Sequence, residues 1–148
     1  MIEFGHVTDR KPPFRYAAYL RVAFSDTDAQ GVVYYGRYMP YFDLARVEYH
    51  RHLGEIEEDG AAELAVRASS VEYRAPARFD DLLEVFVRID RIGTTSVTYV
   101  LAAHRLDDDT LMCTATQTLV LVDRAERRPV PVADSFRAHV AAFQGTPV

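Results

Sequence analysis

Residues 16–54 read YAAYLRVAFSDTDAQGVVYYGRYMPYFDLARVEYHRHLG, and three kinds of pattern follow one another along them. From Tyr16 to Phe24 aromatic and branched residues alternate, with Tyr19, Arg21 and Ala23 on one parity and Leu20, Val22 and Phe24 on the other, as a strand requires. Ser25-Asp26-Thr27-Asp28-Ala29-Gln30-Gly31 gathers side chains that bond their own backbone and ends in a glycine that accepts positive φ, so the strand must stop there. From about Gly36 to Leu53 the spacing lengthens to three and four, and Tyr38, Phe42, Ala45, Tyr49 and Leu53 fall on one stripe of a helix about five turns long. Pro40 stands in its first turn, where a missing amide donor costs nothing, and Gly54 follows as a C-terminal stop.

Outward from this stretch, residues 1–15 mix Gly5, Pro12, Pro13 and charges without a period and read as an extended lead-in. Beyond Gly54 an acidic connection runs to Gly60, with Glu57-Glu58-Asp59 read as solvent-exposed, and Ala61 to Ala65 reads as a short helical turn. Strands follow at Val66 to Tyr73, Leu82 to Arg91, Thr95 to Arg105 and Leu111 to Val122. They are punctuated by Arg74-Ala75-Pro76-Ala77-Arg78, Ile92-Gly93-Thr94 and Asp107-Asp108-Asp109. Short connections between consecutive strands mean antiparallel pairing. Pro129 and Pro131 close the last strand, and Asp134 to Phe143 reads as a helix with Phe136, Val140 and Phe143 inward. The fold class is therefore α+β: a five-stranded antiparallel sheet wrapped around one long central helix. Residues 1–148 make a single domain, of which 133–148 are the C-terminal helix and tail. The outer face of such a sheet needs cover, which predicts a homo-oligomer through that face or an edge strand.

Composition narrows the function. A chain of 148 residues that is 49% apolar, 26% charged and carries a net charge of −5 has material for one core. It has no basic surplus for a nucleic-acid backbone and no apolar run of membrane-spanning length, so neither nucleic acid nor membrane is an expected partner. One cysteine, Cys113, makes no internal disulfide, and the N-terminal residues lack the apolar core of a secretory signal; the cytoplasm is the default location. Five scattered histidines suggest no metal site, Cys113 reads as mid-strand packing, and no serine sits in a Gly-x-Ser-x-Gly elbow.

The chemistry concentrates around Asp28. A carboxylate, a glycine and a helix start lie within about eleven residues of Asp28, and a helix start offers unpaired amides and a partial positive charge. Asp28 acting on a carbonyl, as nucleophile or as base toward water, with a backbone amide near Tyr35 holding the oxygen, would supply both halves of an acyl-transfer site. The competing reading is that Asp26 and Asp28 cap turns and do nothing more. Glu48 on the helix stands as either a second carboxylate of the site or an ion-paired helix residue. Tyr34, Tyr35, Tyr38, Tyr41 and Phe42 read as core or interface packing with a share in lining a pocket.

Ser25 to Tyr35, then Tyr38-Met39-Pro40-Tyr41-Phe42 and Ala45-Arg46, resemble the signature of the 4-hydroxybenzoyl-CoA thioesterase-like acyl-CoA thioesterases, which have the hotdog fold. The resemblance continues through residues 71–85 and Ile92-Gly93-Thr94-Thr95-Ser96 to Arg128-Pro129, and so covers about residues 16–132. It implies hydrolysis of an acyl-CoA thioester to carboxylate and free CoA, with no cofactor beyond the CoA carried by the substrate, by a dimer or dimer of dimers whose sites lie between subunits. By position it makes Asp28 the catalytic carboxylate and Tyr35 the oxyanion donor. It places Gly31 and the Gly93-Thr94-Thr95-Ser96 turn at the substrate, with Arg78 and Arg91 toward the CoA phosphates. One branch of the family has a tyrosine where this chain has Phe24 and a histidine where it has Tyr35; a phenyl group and a high-pKa phenol cannot supply that branch's side-chain acid or base, and the role left at Tyr35 is the backbone's. Arg37 replaces a small polar residue and changes the pocket's mouth. Two readings from neighbouring classes accompany this one: a thioester-binding module that leaves its ligand intact, and a thioesterase acting on acyl-carrier protein.

Overall fold

The structure, a computed structural model, describes residues 2–56 and 60–148, so the expected acidic loop at 57–59 lies outside the described residues. In chain order the elements are β1 (Gly5–Val7), β2 (Tyr16–Arg21), α1 (Tyr38–His52), β3 (Ala62–Tyr73), β4 (Leu82–Ile92), β5 (Ser96–Arg105), β6 (Leu111–Asp123) and α2 (Asp134–Gln144). They form one sheet of six strands in the order β1-β2-β4-β5-β6-β3, antiparallel throughout.

α1 lies across the sheet because its apolar stripe meets the inward parity of the strands. Tyr38, Phe42, Ala45 and Tyr49 join Leu83, Val85, Val87 and Ile89 of β4 and Val97, Tyr99, Leu101 and Ala103 of β5 in one buried cluster, with Leu53 packed against it. Burying a side chain such as Phe42 contributes about 2–3 kcal/mol. Gly54 has φ +73° past the last turn, where a side chain would be strained. α2 closes the far edge of the cluster with Phe136 and Val140.

Four expectations need correction. The lead-in is not idle, because Gly5–Val7 pairs with Tyr16–Ala18 and makes the sheet six strands wide rather than five. The segment at 61–65 is not a helical turn, since Ala62 to Ala65 pair with Val120 to Asp123 and this partnership overrides the local helix preference of alanine. The first strand ends at Arg21 rather than Phe24, where the chain tightens into a 3-10 turn at Phe24–Asp26. Another 3-10 turn, Tyr35–Arg37, takes what reads as the opening of the long helix, and α1 proper begins at Tyr38.

The sheet's other face also finds cover within the chain. Residues 8–15 fold over β4: the Phe14 ring lies 5.7 Å from that of Phe86, and the cationic ends of Arg10 and Lys11 each stand 5.9 Å from the centre of the Phe86 ring. Glu84, fully buried beside Phe86, is held by Arg10 and by His6 Nε2 at 3.0 Å.

Candidate active site

Between β2 and α1 the chain makes a miniature hairpin. Thr27 and Val33 pair as an antiparallel bridge, and Val32 pairs with Arg78 on the next segment. The tip is Asp28–Gly31: the Asp28 N–H donates to Val32 O at 2.9 Å, and the Gly31 N–H donates to Asp28 O at 3.0 Å. Gly31 has φ +78°, which favours glycine there. The Gln30 N–H donates to Asp28 Oδ1 at 2.8 Å, and Oδ2 meets no donor among the described residues. The carboxylate thus has one oxygen held by the turn and the other uncommitted.

Asp26, two residues earlier, behaves differently. Its Oδ2 accepts the Tyr41 hydroxyl at 2.7 Å and the Ala23 N–H at 2.9 Å, its Oδ1 pairs with Arg37 Nε at 3.1 Å, and its carbonyl accepts the Tyr34 N–H at 2.9 Å. Burial, and then the bond to this carboxylate, push the Tyr41 phenol far above its usual range. Of the two aspartates, this one caps and ties.

Tyr34 leads into the 3-10 turn, and the Tyr35 N–H meets no acceptor among the described residues, as expected of the first amide of a helical turn. Asp28 and Tyr35 line one cleft of about 310 Å³ together with Gln30, Val32, Val33, Tyr38, Tyr73, Arg74, Ala75 and Pro76. Tyr73 reaches from the end of β3 to donate its hydroxyl to Tyr35 O at 3.2 Å. Burial raises the Tyr38 phenol to about 12 and raises that of Tyr73 as well, so both are neutral near pH 7 and serve as walls or hydrogen-bond donors.

The remaining expected positions divide. Gly31 shapes the acid turn beside the cleft. Arg78 is exposed next to it, its backbone N–H given to Asp81 Oδ2 at 2.9 Å. Arg91, Gly93, Thr94, Thr95 and Ser96 are not brought to this cleft: they lie at the opposite end of β4, whose length is roughly 35 Å at about 3.3 Å per residue. That turn is fastened from behind. Arg137 of α2 donates to Ile92 O at 3.1 Å and Gly93 O at 2.5 Å, and Val132 N–H donates to Thr94 O at 2.9 Å. Phe24 is 77% exposed and makes an edge contact with Phe79, outside the cleft lining.

Other candidates resolve into structure. Glu48 is ion-paired to Arg51 at 3.4 Å and accepts the Phe4 N–H at 3.1 Å, remote from Asp28. Cys113 is buried, and burial pushes its thiol up to about 12. Among the described residues no three His, Cys, Asp or Glu side chains gather as a metal site, and no helix is long and apolar enough to cross a membrane. Gln30, Val32, Val33, Tyr73, Arg74, Ala75 and Pro76 are lining residues that sequence reasoning did not place in the site, and of these Tyr73 and Arg74 bring polar groups to it. The available signal was an aromatic residue and an arginine at a strand end, just before a proline break.

A sheet curled on one long helix, with an acid turn opening onto that helix's first residues, defines the class: the chain belongs to the thioesterase-like superfamily, whose pattern matches residues 22–140. Its curated relatives are more particular. It is 36% identical over 122 residues to the acyl-CoA thioester hydrolase YbgC of Escherichia coli O6:H1, covering 80% of this chain and 90% of that one. It is 34% identical over 125 residues to the acyl-CoA thioesterase YbgC of Haemophilus influenzae, covering 80% and 89%. Among solved structures, PA2801, a putative thioesterase of Pseudomonas aeruginosa, superposes with a TM-score of 0.77 at 32% identity over 84% of this chain and 97% of that one.

Proposed function

We propose that the protein hydrolyses acyl-CoA thioesters to a carboxylate and free CoA, with Asp28 as the reacting carboxylate and the Tyr35 amide as oxyanion donor. The observation that carries this reading is that Asp28, with a carboxylate oxygen that meets no donor among the described residues, and Tyr35, whose backbone N–H meets no acceptor among them, line the same cleft just before α1. With the thioester carbonyl oxygen against the Tyr35 N–H, the carbonyl carbon becomes electrophilic and its developing charge is stabilised by a donor already in place. Asp28 then acts by one of two routes. As nucleophile it bonds to that carbon and expels CoA thiolate, leaving an anhydride that water cleaves; as base it takes a proton from the water that attacks. In both, the C–S bond breaks and the thiolate leaves as free CoA.

A homo-oligomer fits the same reading. β3 is one of the two edge strands of the sheet, twelve residues long, and Val66 and Tyr73 on it are 57% and 51% exposed. A second copy along this edge would pair its open backbone groups. A substrate that reaches from Asp28 to a Gly93–Ser96 turn also requires a second copy, since within one chain the two lie at opposite ends of β4. Arg78 and Arg91 would then meet the CoA phosphates. Thiol release measured over a panel of short, long and aromatic acyl-CoAs, together with mass in solution, tests both parts. Tight binding of every ester without thiol release, or a monomer with full activity, overturns the corresponding part.

A further inference from the structure

We propose that Asp26 is a positioning residue for this hydrolysis, locking the acid turn to the donor end of α1; the inference rests on the reading above and deepens it. Asp26 does not line the cleft and its carboxylate is buried, so it cannot touch a thioester. Its bonds instead join the parts that must be aligned. Through Arg37 and Tyr41 the side chain grips the start of the helical segment, and through Ala23 it grips the chain two residues past the end of β2. Its carbonyl fixes the Tyr34 N–H, one residue before the proposed oxyanion amide, and its own chain continues directly into Thr27 and Asp28. A displacement of Asp26 therefore moves the carboxylate and the donor relative to each other, and misplacing reacting groups by about 1 Å costs on the order of a hundredfold in rate.

Charge makes this knot specific. The two oxygens of Asp26 together face an N–H, an O–H and a guanidinium, all donors. In Asp26→Asn one oxygen becomes an NH2 group, which must oppose either Arg37 or the Ala23 and Tyr41 donors, so the set cannot be satisfied in any flip. Tyr41→Phe removes a single donor while leaving the ring against Tyr38, 5.7 Å away between centres.

The test measures kcat, KM and thermal midpoint on an acyl-CoA thioester that the wild type turns over. The variants are Asp26→Asn, Tyr41→Phe and, as a control, Glu84→Gln, which disturbs a buried carboxylate on the other face of the sheet. Asp26→Asn is expected to lower kcat about tenfold to a hundredfold with KM within about threefold, and Tyr41→Phe to lower kcat about three- to tenfold. Glu84→Gln lowers the midpoint and leaves kcat unchanged. Wild-type kcat in a folded Asp26→Asn overturns the proposal, as does an equal loss in Glu84→Gln, which would tie turnover to global stability. Should Asp26→Asn not fold, Tyr41→Phe decides: a fall in kcat at constant KM supports the proposal and unchanged kcat overturns it. A wild type that binds esters without releasing thiol would defeat the hydrolytic reading itself and an active Asp28→Asn the role of Asp28 within it, whereas an inactive Asp28→Asn beside a fully active Asp26→Asn defeats the positioning role alone.

Discussion

The two ends of β4 hold the two halves of the expected site in opposite conditions. At the Leu82 end, the loop that joins β2 to α1 leaves chemistry unspent: a carboxylate oxygen without a donor and an amide without an acceptor among the described residues. At the Ile92 end, the Gly93–Ser96 turn has most of its backbone carbonyls already engaged, by Arg137, Val132 and Leu121, and offers a rigid ledge rather than a reactive group. Reactive groups must stay underbonded until substrate arrives, while a surface that only holds a substrate gains from being fixed in advance.

The contrast predicts where damage falls. Asp28→Asn should keep the midpoint and lower kcat about a hundredfold or more, since a positioned base contributes on that order; thiol release above about a tenth of the wild-type rate would break the comparison. Acid should act on the other end. Burial, helped by the nearby Arg46 charge, lowers the His50 imidazole to about 4, and the ring stacks on Phe136, the neighbour of Arg137. Below its ordinary value near 6.5 the unfolded chain takes up a proton that the folded chain refuses, so stability present above pH 6.5 is lost as pH falls toward 4, by about 3 kcal/mol in all. Midpoints measured from pH 7 to 4.5 should fall more steeply for wild type than for His50→Gln, and parallel curves would refute this. Arg137→Ala, which frees the carbonyls of Ile92 and Gly93, should raise KM about three- to tenfold with kcat unchanged. Arg78→Ala and Arg91→Ala should each raise KM only about two- to threefold, an effect that shrinks in high salt.

How much of this could be read from the chain depends on range. α1 was legible because its stripe, Pro40 and Gly54 are local signals, and the acid turn because Asp28 and Gly31 bond within four residues. The strand at 62–65 was hidden because the backbone partner that makes it a strand is β6, some sixty residues away. β1 was hidden because three residues carry no period of their own. The roles of the two aspartates were likewise invisible: Asp26 and Asp28 are the same residue type in the same turn-rich segment, and the positions of Tyr41, Arg37 and Ala23 in space separate a carboxylate bound on both oxygens from one bound on a single oxygen.

The cover that residues 8–15 give to β4 has a practical consequence for anyone who trims the chain. Removing the first fifteen residues would take Arg10 and His6 from Glu84 and leave a carboxylate in an apolar sheet face beside a newly wetted Phe86 ring. Such a shortened protein would suffer as from a lesion in its interior, although every residue deleted lies in what reads as an extended lead-in.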